Sequence, residues 1–322
     1  MKKELFDVVL LLALPASGKS EVRTFMANVE PERLKKEFHI GENVQLDDFP
    51  YVHMMRRIDE ELLSLGEKRI YYPGQEPFYD GRDWGTLTEL LNEDYQDLIN
   101  KPSINVDSAA QWLFDRFENA SKKIGIEPRL GKLSKDTMDS LKNKLEKECR
   151  DLLNEKIAGI PDTLDGKTIV IEFARGGSDG SSLPLTGTFG YQYTLPILDS
   201  DLLSKASILY IWVTPEESRR KNNERNDPND PGSILNHGVP MAVMLGDYGV
   251  DDMPYLLETS EVKNTITVKK GNEIFHLPIG VFDNRVDRTS FLRTDKNTWP
   301  EDKIKAVTEG IKQATDNMYE NY

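Results

Sequence analysis

An apolar run that ends in a glycine-lysine-serine turn constrains the fold of this chain more than any other feature of its sequence. Residues 7–14 (DVVLLLAL) predict a buried strand, because a short apolar run bounded by charge and turn signals is typical of parallel sheets. Residues 13–20 (ALPASGKS) follow the spacing of a phosphate-binding loop, with alanine at the first position where glycine is usual. Residues 21–28 begin a helix. A strand, a tight turn and a helix N-terminus together predict a cradle for a phosphate anion.

The side chains of this turn suit a nucleoside triphosphate with Mg²⁺. Lys19 is placed to reach the terminal phosphates, and the Ser20 hydroxyl is placed to join the Mg²⁺ shell. A chance strand–turn–helix with one lysine is the competing interpretation, but the apolar strand before the motif and the helix after it favour the functional one. We therefore predict that ATP and Mg²⁺ are bound here, with Lys19 also catalytic and Ser20 also a metal ligand. The predicted nucleotide-binding residues are Ala16, Ser17, Gly18, Lys19 and Ser20.

Strand and helix patterns alternate along the rest of the chain, which predicts an α/β fold with a parallel sheet. The further predicted strands are residues 43–47, 167–173, 207–213 and 279–282. Residues 262–269 and 273–277, joined across Gly271 and Asn272, predict a hairpin that leads into the last strand. Residues 50–162 are mostly helical in pattern and too long for a simple crossover, so we interpret them as a helical insertion and a candidate acceptor-binding subdomain. Residues 1–49 and 163–322 form the predicted nucleotide-binding core, with a lid at about 216–250.

The loop at residues 15–20 and the five-strand plan resemble those of P-loop kinases, the nucleotide and nucleoside kinase group in particular. The resemblance covers residues 6–30 and 167–321 and leaves out the helical insertion. It implies a three-layer P-loop NTPase fold whose five parallel strands lie in the order 2-3-1-4-5. It also implies a Mg²⁺-dependent transfer of the γ-phosphoryl group of ATP.

Acidic residues follow two of the predicted strands. Asp47 and Asp48 end the second strand, where kinases of this group often carry an acid that binds the acceptor or takes its proton. An N-cap for the following helix explains these two residues equally well. Glu172 ends the third strand, where an acid can hold a Mg²⁺-bound water, so we predict Glu172 as a second metal ligand.

A basic segment follows the fourth strand and resembles the start of a kinase lid, where arginines close over the transferring phosphoryl group. The predicted catalytic arginines are Arg219, Arg220 and Arg225. A solvated helix face with i,i+4 ion pairs is the alternative. After the last strand, Asn284 is predicted to contact the nucleotide base. The string from Asn284 to Asp287 is also similar to the guanine-specific motif of GTPases, although this signal is weak.

Composition limits the functional class and the partners. The net charge is −14 and no Lys/Arg-rich block stands out, so we expect no nucleic-acid partner. The N-terminal apolar run is too short for a membrane span, and we expect no membrane partner. Cys149 is the one cysteine, which is typical of a reducing, cytoplasmic protein. The four histidines and Cys149 lack metal-ligand spacing, so structural zinc is not expected.

The leading hypothesis is an ATP-dependent phosphotransferase that acts on a small-molecule acceptor, for example a nucleoside or nucleotide. The alternative is a GTP- or ATP-hydrolysing switch that regulates a protein partner; the absence of an Asp-x-x-Gly element after the third strand argues against it. A nucleotide-sensing scaffold without catalysis is a third hypothesis, which the presence of both Lys19 and Ser20 disfavours.

Overall fold

The computed structural model describes residues 3–225 and 238–322 of the chain. Within these ranges the strands form one sheet in the order β2-β3-β1-β4-β6-β5. β1 pairs in parallel with β3 and β4, and β4 pairs in parallel with β6, while β5 is antiparallel to β6. The strands are β1 Val8–Leu12, β2 Glu42–Asp47, β3 Lys167–Phe173, β4 Ala206–Trp212, β5 Thr265–Lys270 and β6 Glu273–Asp283.

Helices connect most of the strands. Across the described residues, no helix combines the length and apolar character that a membrane crossing requires. The helices are α1 Lys19–Asn28, α2 Pro31–Phe38, α3 Phe49–Ser64, α4 Asp83–Asn100, α5 Ala109–Lys123, α6 Lys135–Ala158, α7 Gly190–Thr194, α8 Ser200–Leu203, α9 Pro215–Arg225, α10 Met241–Gly246, α11 Met253–Glu258 and α12 Glu301–Asn321.

The predicted α/β class is confirmed, but the prediction of five strands is wrong, because the sheet has six. The predicted hairpin is present, and its turn lies between Lys270 and Glu273. Its second arm continues without a break into the predicted last strand, which makes β6 eleven residues long. The first arm, β5, then lies along the edge of the sheet. The sixth strand is therefore the first arm of the predicted hairpin.

The chain forms two compact units. The first, here called the sheet unit, comprises Met1–Gln45, Leu164–Pro196 and Ser200–Tyr322. Its core includes apolar side chains of β1, α1 and α12, because β1 is buried along its whole length and needs cover on its faces. Gly280 of β6 allows α12 to approach the sheet closely, since a Cβ atom at this position would lie 1.9 Å from the carbonyl oxygen of Ala314.

The second unit, here called the helical unit, comprises Leu46–Thr163 and Ile197–Asp199. Within it α5 packs against both α4 and α6. Asp59 of α3 organises the aromatic segment that follows α3: its carboxylate accepts hydrogen bonds from the backbone N–H groups of Ile70, Tyr71 and Tyr72. Asp59 is fully buried, so these donors take the place of water around its charge.

Candidate functional site

The segment from Ala13 to Ser20, here called the phosphate loop, joins the buried strand β1 to helix α1. Ala16 and Gly18 both have positive φ angles, of 55° and 107°, so the backbone turns back on itself twice within three residues. Lys19 is the first residue of α1, and no side chain caps this helix at its N-cap residue, Gly18. The positive end of the helix dipole is thus available to an anion.

Three side chains from separate parts of the sheet unit hold the phosphate loop by its carbonyl groups. The Ser218 hydroxyl of α9 donates a hydrogen bond of 2.7 Å to the Pro15 carbonyl. Asn284 Nδ2, after β6, donates one of 2.7 Å to the Ser17 carbonyl. Tyr191 of α7 donates one of 3.1 Å to the Ala13 carbonyl. These bonds fix the shape of the loop without a ligand, so little ordering entropy is lost when a ligand binds.

Donor groups are concentrated at the phosphate loop. Lys19 Nζ lies 3.3 Å from the Ala13 carbonyl oxygen and 3.4 Å from that of Leu14, and the residue is 8% exposed. The Ser17 hydroxyl is buried and has no hydrogen-bond partner among the described residues. A buried hydroxyl without a partner costs about 1–3 kcal/mol, which a ligand oxygen would recover. An ammonium group, a buried hydroxyl and an uncapped helix N-terminus together fit a phosphate group.

Asn284 lies beneath the phosphate loop rather than at a surface open to a base. The residue is fully buried, and its Nδ2 donates to the Ser17 carbonyl and to Thr289 Oγ1. Its Oδ1 accepts a 2.8 Å hydrogen bond from the Arg288 backbone N–H. A direct contact with a nucleotide base, as predicted, would require these bonds to break. The structure instead gives Asn284 a supporting role.

Glu172 is the penultimate residue of β3 and lies opposite Leu11 of β1, the strand that carries the phosphate loop. Its Oε2 accepts a 2.7 Å hydrogen bond from Arg23 Nη1 in α1, which balances the charge at the end of a buried strand. Among the described residues, the hydrogen bond from Arg23 uses Oε2 of Glu172 and not Oε1. Across the described residues, no group of three or more His, Cys, Asp or Glu side chains is arranged to hold a metal ion.

The structure describes the side chains of two of the three predicted arginines, and both pair with acids outside the phosphate loop. Arg220 is exposed and pairs with Glu217 and Glu224 of its own helix, which matches the solvated-face alternative. Arg219 contacts Asp179 and Glu216, each at 3.4 Å. The side chain of Arg225 and the segment 226–237 of the predicted lid lie outside the described residues. The buried face of α9 presents Ser218 and Lys221 instead.

Asp47 is the last residue of β2 and Asp48 directly precedes α3; both belong to the helical unit. Asp47 Oδ1 accepts a 2.8 Å hydrogen bond from the Phe49 backbone N–H, which is the turn that starts many helices. Asp48 is the N-cap residue by position, but its buried carboxylate does not cap the helix. The capping interpretation therefore accounts for Asp47 and leaves the role of Asp48 as a prediction.

An acidic pair that the sequence analysis missed lies within the sheet unit. Asp251 accepts a hydrogen bond from the Tyr210 hydroxyl, and Asp252 accepts two from the backbone N–H groups of Tyr191 and Gln192. The only sequence signal is two adjacent acids before a helix that begins Met-Pro, which resembles an ordinary N-cap. The tertiary structure alone brings these acids to the tyrosines.

Comparisons of the chain with models of protein families, with curated protein sequences and with solved structures find no match. The likeness to P-loop kinases therefore depends on the residues of the phosphate loop and on the order of the strands around β1. It remains a resemblance.

Proposed function

We propose that this protein is a P-loop phosphotransferase that moves the γ-phosphoryl group of ATP to a small-molecule acceptor. The observation that carries the proposal is the phosphate loop itself: a buried strand, a turn with left-handed residues at Ala16 and Gly18, and an uncapped helix that begins with Lys19. Parallel strands β3 and β4 flank β1, so the loop projects from the centre of the sheet. In open α/β sheets, ligands bind at the carboxyl ends of the strands, which supports this assignment.

The residues of the loop stabilise the transferring group by charge. Lys19 neutralises oxygens of the β- and γ-phosphates, and the N-terminus of α1 offers backbone dipoles to the same anion. The fixed loop carbonyls keep these donors in place during the reaction, so the site needs little reorganisation as charge moves.

The donor set also fits a magnesium ion. The Ser20 hydroxyl, in the first turn of α1, would hold it, and Glu172 Oε1 would accept from one of its water ligands. When bound, the ion would neutralise charge that develops on the phosphate oxygens. Arg23 keeps the Glu172 carboxylate oriented through Oε2.

The switch hypothesis has no observation of its own in the structure. Its support in the sequence was the string from Asn284 to Asp287 together with the long helical insertion, and the Asn284 amide is occupied by the protein. Asp287 pairs with Lys221 of α9 at 2.9 Å. Asn284 and Asp287 therefore both have partners within the protein. The assay that follows measures whether the protein uses ATP or GTP.

The test is an ADP-release assay with Mg²⁺ and ATP or GTP, run over a panel of small-molecule acceptors. We expect acceptor-dependent ADP release that Lys19→Ala abolishes. The matched control is Lys305→Ala, since Lys305 is an exposed lysine of α12. Tight nucleotide binding without any acceptor-dependent turnover would contradict the phosphotransferase. Exclusive use of GTP, with release independent of acceptor, would favour the switch.

A further inference from the structure

The acidic pair Asp251 and Asp252, together with Tyr191 and Tyr210, forms a group that we call the acid–tyrosine cluster. A backbone bridge fixes it: Gly177, after β3, and Val250 exchange hydrogen bonds of 2.8 and 3.0 Å. Asp251 follows Val250 directly. Its Oδ1 accepts a 3.0 Å hydrogen bond from the Met253 backbone N–H, and its Oδ2 accepts from the Tyr210 hydroxyl. The carboxylate is therefore held by two donors.

The acid–tyrosine cluster adjoins the phosphate loop. Tyr210 of β4 lies opposite Leu12, the last residue of β1. The Tyr191 hydroxyl donates to the Ala13 carbonyl, the same oxygen that Lys19 Nζ approaches to 3.3 Å. Asp252 holds the backbone of Tyr191 in place. Hydrogen bonds through the Ala13 carbonyl and Tyr191 therefore link Lys19 to Asp252 of the acidic pair.

Asp251 has the environment of a proton acceptor rather than of a structural ion. Within the described parts of the chain, no lysine, arginine or histidine forms an ion pair with it. Burial raises the pKa of its carboxyl to about 7, against the opposing effects of the Tyr210 hydrogen bond and of the Lys19 charge. A carboxyl that exchanges its proton near neutrality is suited to general base catalysis.

The charges around the cluster also limit the acceptor. Asp252 adds a second acid, which is fully buried. Among the described residues, Lys19 of α1 acts on the Asp251 carboxyl, and the buried Arg175, which follows β3, acts on the Tyr191 hydroxyl. Lys19 is committed to the nucleotide under the proposed function. A phosphate acceptor would place its charge beside two carboxyl groups, whereas a neutral hydroxyl compound would not.

We propose that Asp251 takes the proton from a hydroxyl group of the acceptor, and that the acceptor is a neutral hydroxyl compound such as a sugar, a polyol or a nucleoside. This inference rests on the proposed function. The acceptor oxygen forms a bond to the γ-phosphorus as the bond from that phosphorus to the β–γ bridging oxygen breaks. The electron pair of the broken bond leaves with ADP, and the hydroxyl proton passes to Asp251.

The test measures nucleotide binding and ADP release separately. Fluorescent ATP is titrated into the wild type, Asp251→Asn and the control Asp302→Asn, which makes the same change at an exposed position of α12. ADP release is then followed against pH with water, neutral hydroxyl compounds and nucleoside monophosphates as acceptors. We expect Asp251→Asn to bind ATP within about twofold of the wild type and to lose at least about a hundredfold in turnover, in the range typical of general base removal.

Tyr210→Phe provides a second variant that keeps the carboxylate and should fold. Wild-type turnover should rise with pH as Asp251 loses its proton, with a midpoint near 7. Removal of the Tyr210 hydroxyl takes away a donor that lowers the Asp251 pKa, so the midpoint should move to higher pH. A tyrosine that only packs against its neighbours would leave the midpoint unchanged.

Normal turnover in Asp251→Asn, or an unshifted profile in Tyr210→Phe, would overturn the inference. Preference for nucleoside monophosphates over neutral hydroxyl compounds would overturn the acceptor class. A wild type that does not bind ATP, or that binds ATP but releases no ADP with any acceptor, would instead overturn the proposed function, so the two failures are distinguishable.

Discussion

Replacement of Asn284 by alanine tests whether this residue supports the phosphate loop or contacts a ligand. The side chain is fully buried and makes three hydrogen bonds, to the Ser17 carbonyl, to Thr289 Oγ1 and from the Arg288 N–H. The first of these holds the loop at the residue before Gly18. Alanine removes all three bonds and leaves two of the partners, the Ser17 carbonyl and Thr289 Oγ1, in buried residues.

The size of the effect follows from these bonds. Each contributes about 1 kcal/mol net, and a buried partner without a bond adds to the cost, so we expect Asn284→Ala to lower the free energy of unfolding by about 3 kcal/mol. For a unit of this size, 1 kcal/mol corresponds to about 2–4 °C in Tm, which predicts a fall of about 6–12 °C.

Thermal unfolding of the protein without nucleotide measures this effect. The control is Asn317→Ala, at an exposed position of α12, which should change the free energy of unfolding by no more than about 0.5 kcal/mol. A residue whose role is to contact the base would leave the Tm without nucleotide unchanged and alter only the preference for ATP or GTP. An unchanged Tm in Asn284→Ala would therefore refute the supporting role.

Two further substitutions test the surroundings of the phosphate loop. In a urea titration, Gly18→Ala should lower the free energy of unfolding by about 2–5 kcal/mol, because φ at Gly18 is 107° and the new Cβ would lie 2.6 Å from the nearest side-chain atom. Its control is Gly271→Ala, in open space at φ 58°, which should lower the free energy of unfolding by about 1 kcal/mol. Lys221→Met should lower the free energy of unfolding by about 2–3 kcal/mol, because it leaves the partly buried Asp287 without its cation. Its control is Arg220→Ala on the exposed face of α9, which should leave the urea midpoint nearly unchanged. Equal urea midpoints for Gly18→Ala and Gly271→Ala, or for Lys221→Met and Arg220→Ala, would contradict the environments assigned to Gly18 and Lys221.

The sequence was sufficient for features that depend on local chemistry. The apolar run of β1 and the ALPASGKS turn predict a strand, a loop and a helix, and the structure has all three. The Gly271-Asn272 turn predicts a hairpin, which the structure also has. In each case a short segment carries its own signal, because turn residues with left-handed backbone and buried strands need particular residue types.

Features that depend on long-range packing were not predictable in the same way. Asn284 and Asp251 are ordinary polar residues near an element end in the sequence, and only the fold brings one beneath the phosphate loop and the other to Tyr210. The buried face of α9 was not predictable from the sequence either. This helix has few apolar residues, and the positions of its charged residues do not show which face packs against the protein. Ser218 and Lys221 occupy that side.

Calorimetric titration of Mg²⁺ and ATP into the wild type and Lys19→Ala tests the central claim most directly, with Lys305→Ala as the control. A charge-assisted hydrogen bond to phosphate contributes about 1.5–3 kcal/mol, so we expect Lys19→Ala to weaken binding by roughly 10- to 150-fold while Lys305→Ala binds as the wild type does. A wild type without affinity for ATP, or a Lys19→Ala variant that binds as tightly as the wild type, would contradict the account.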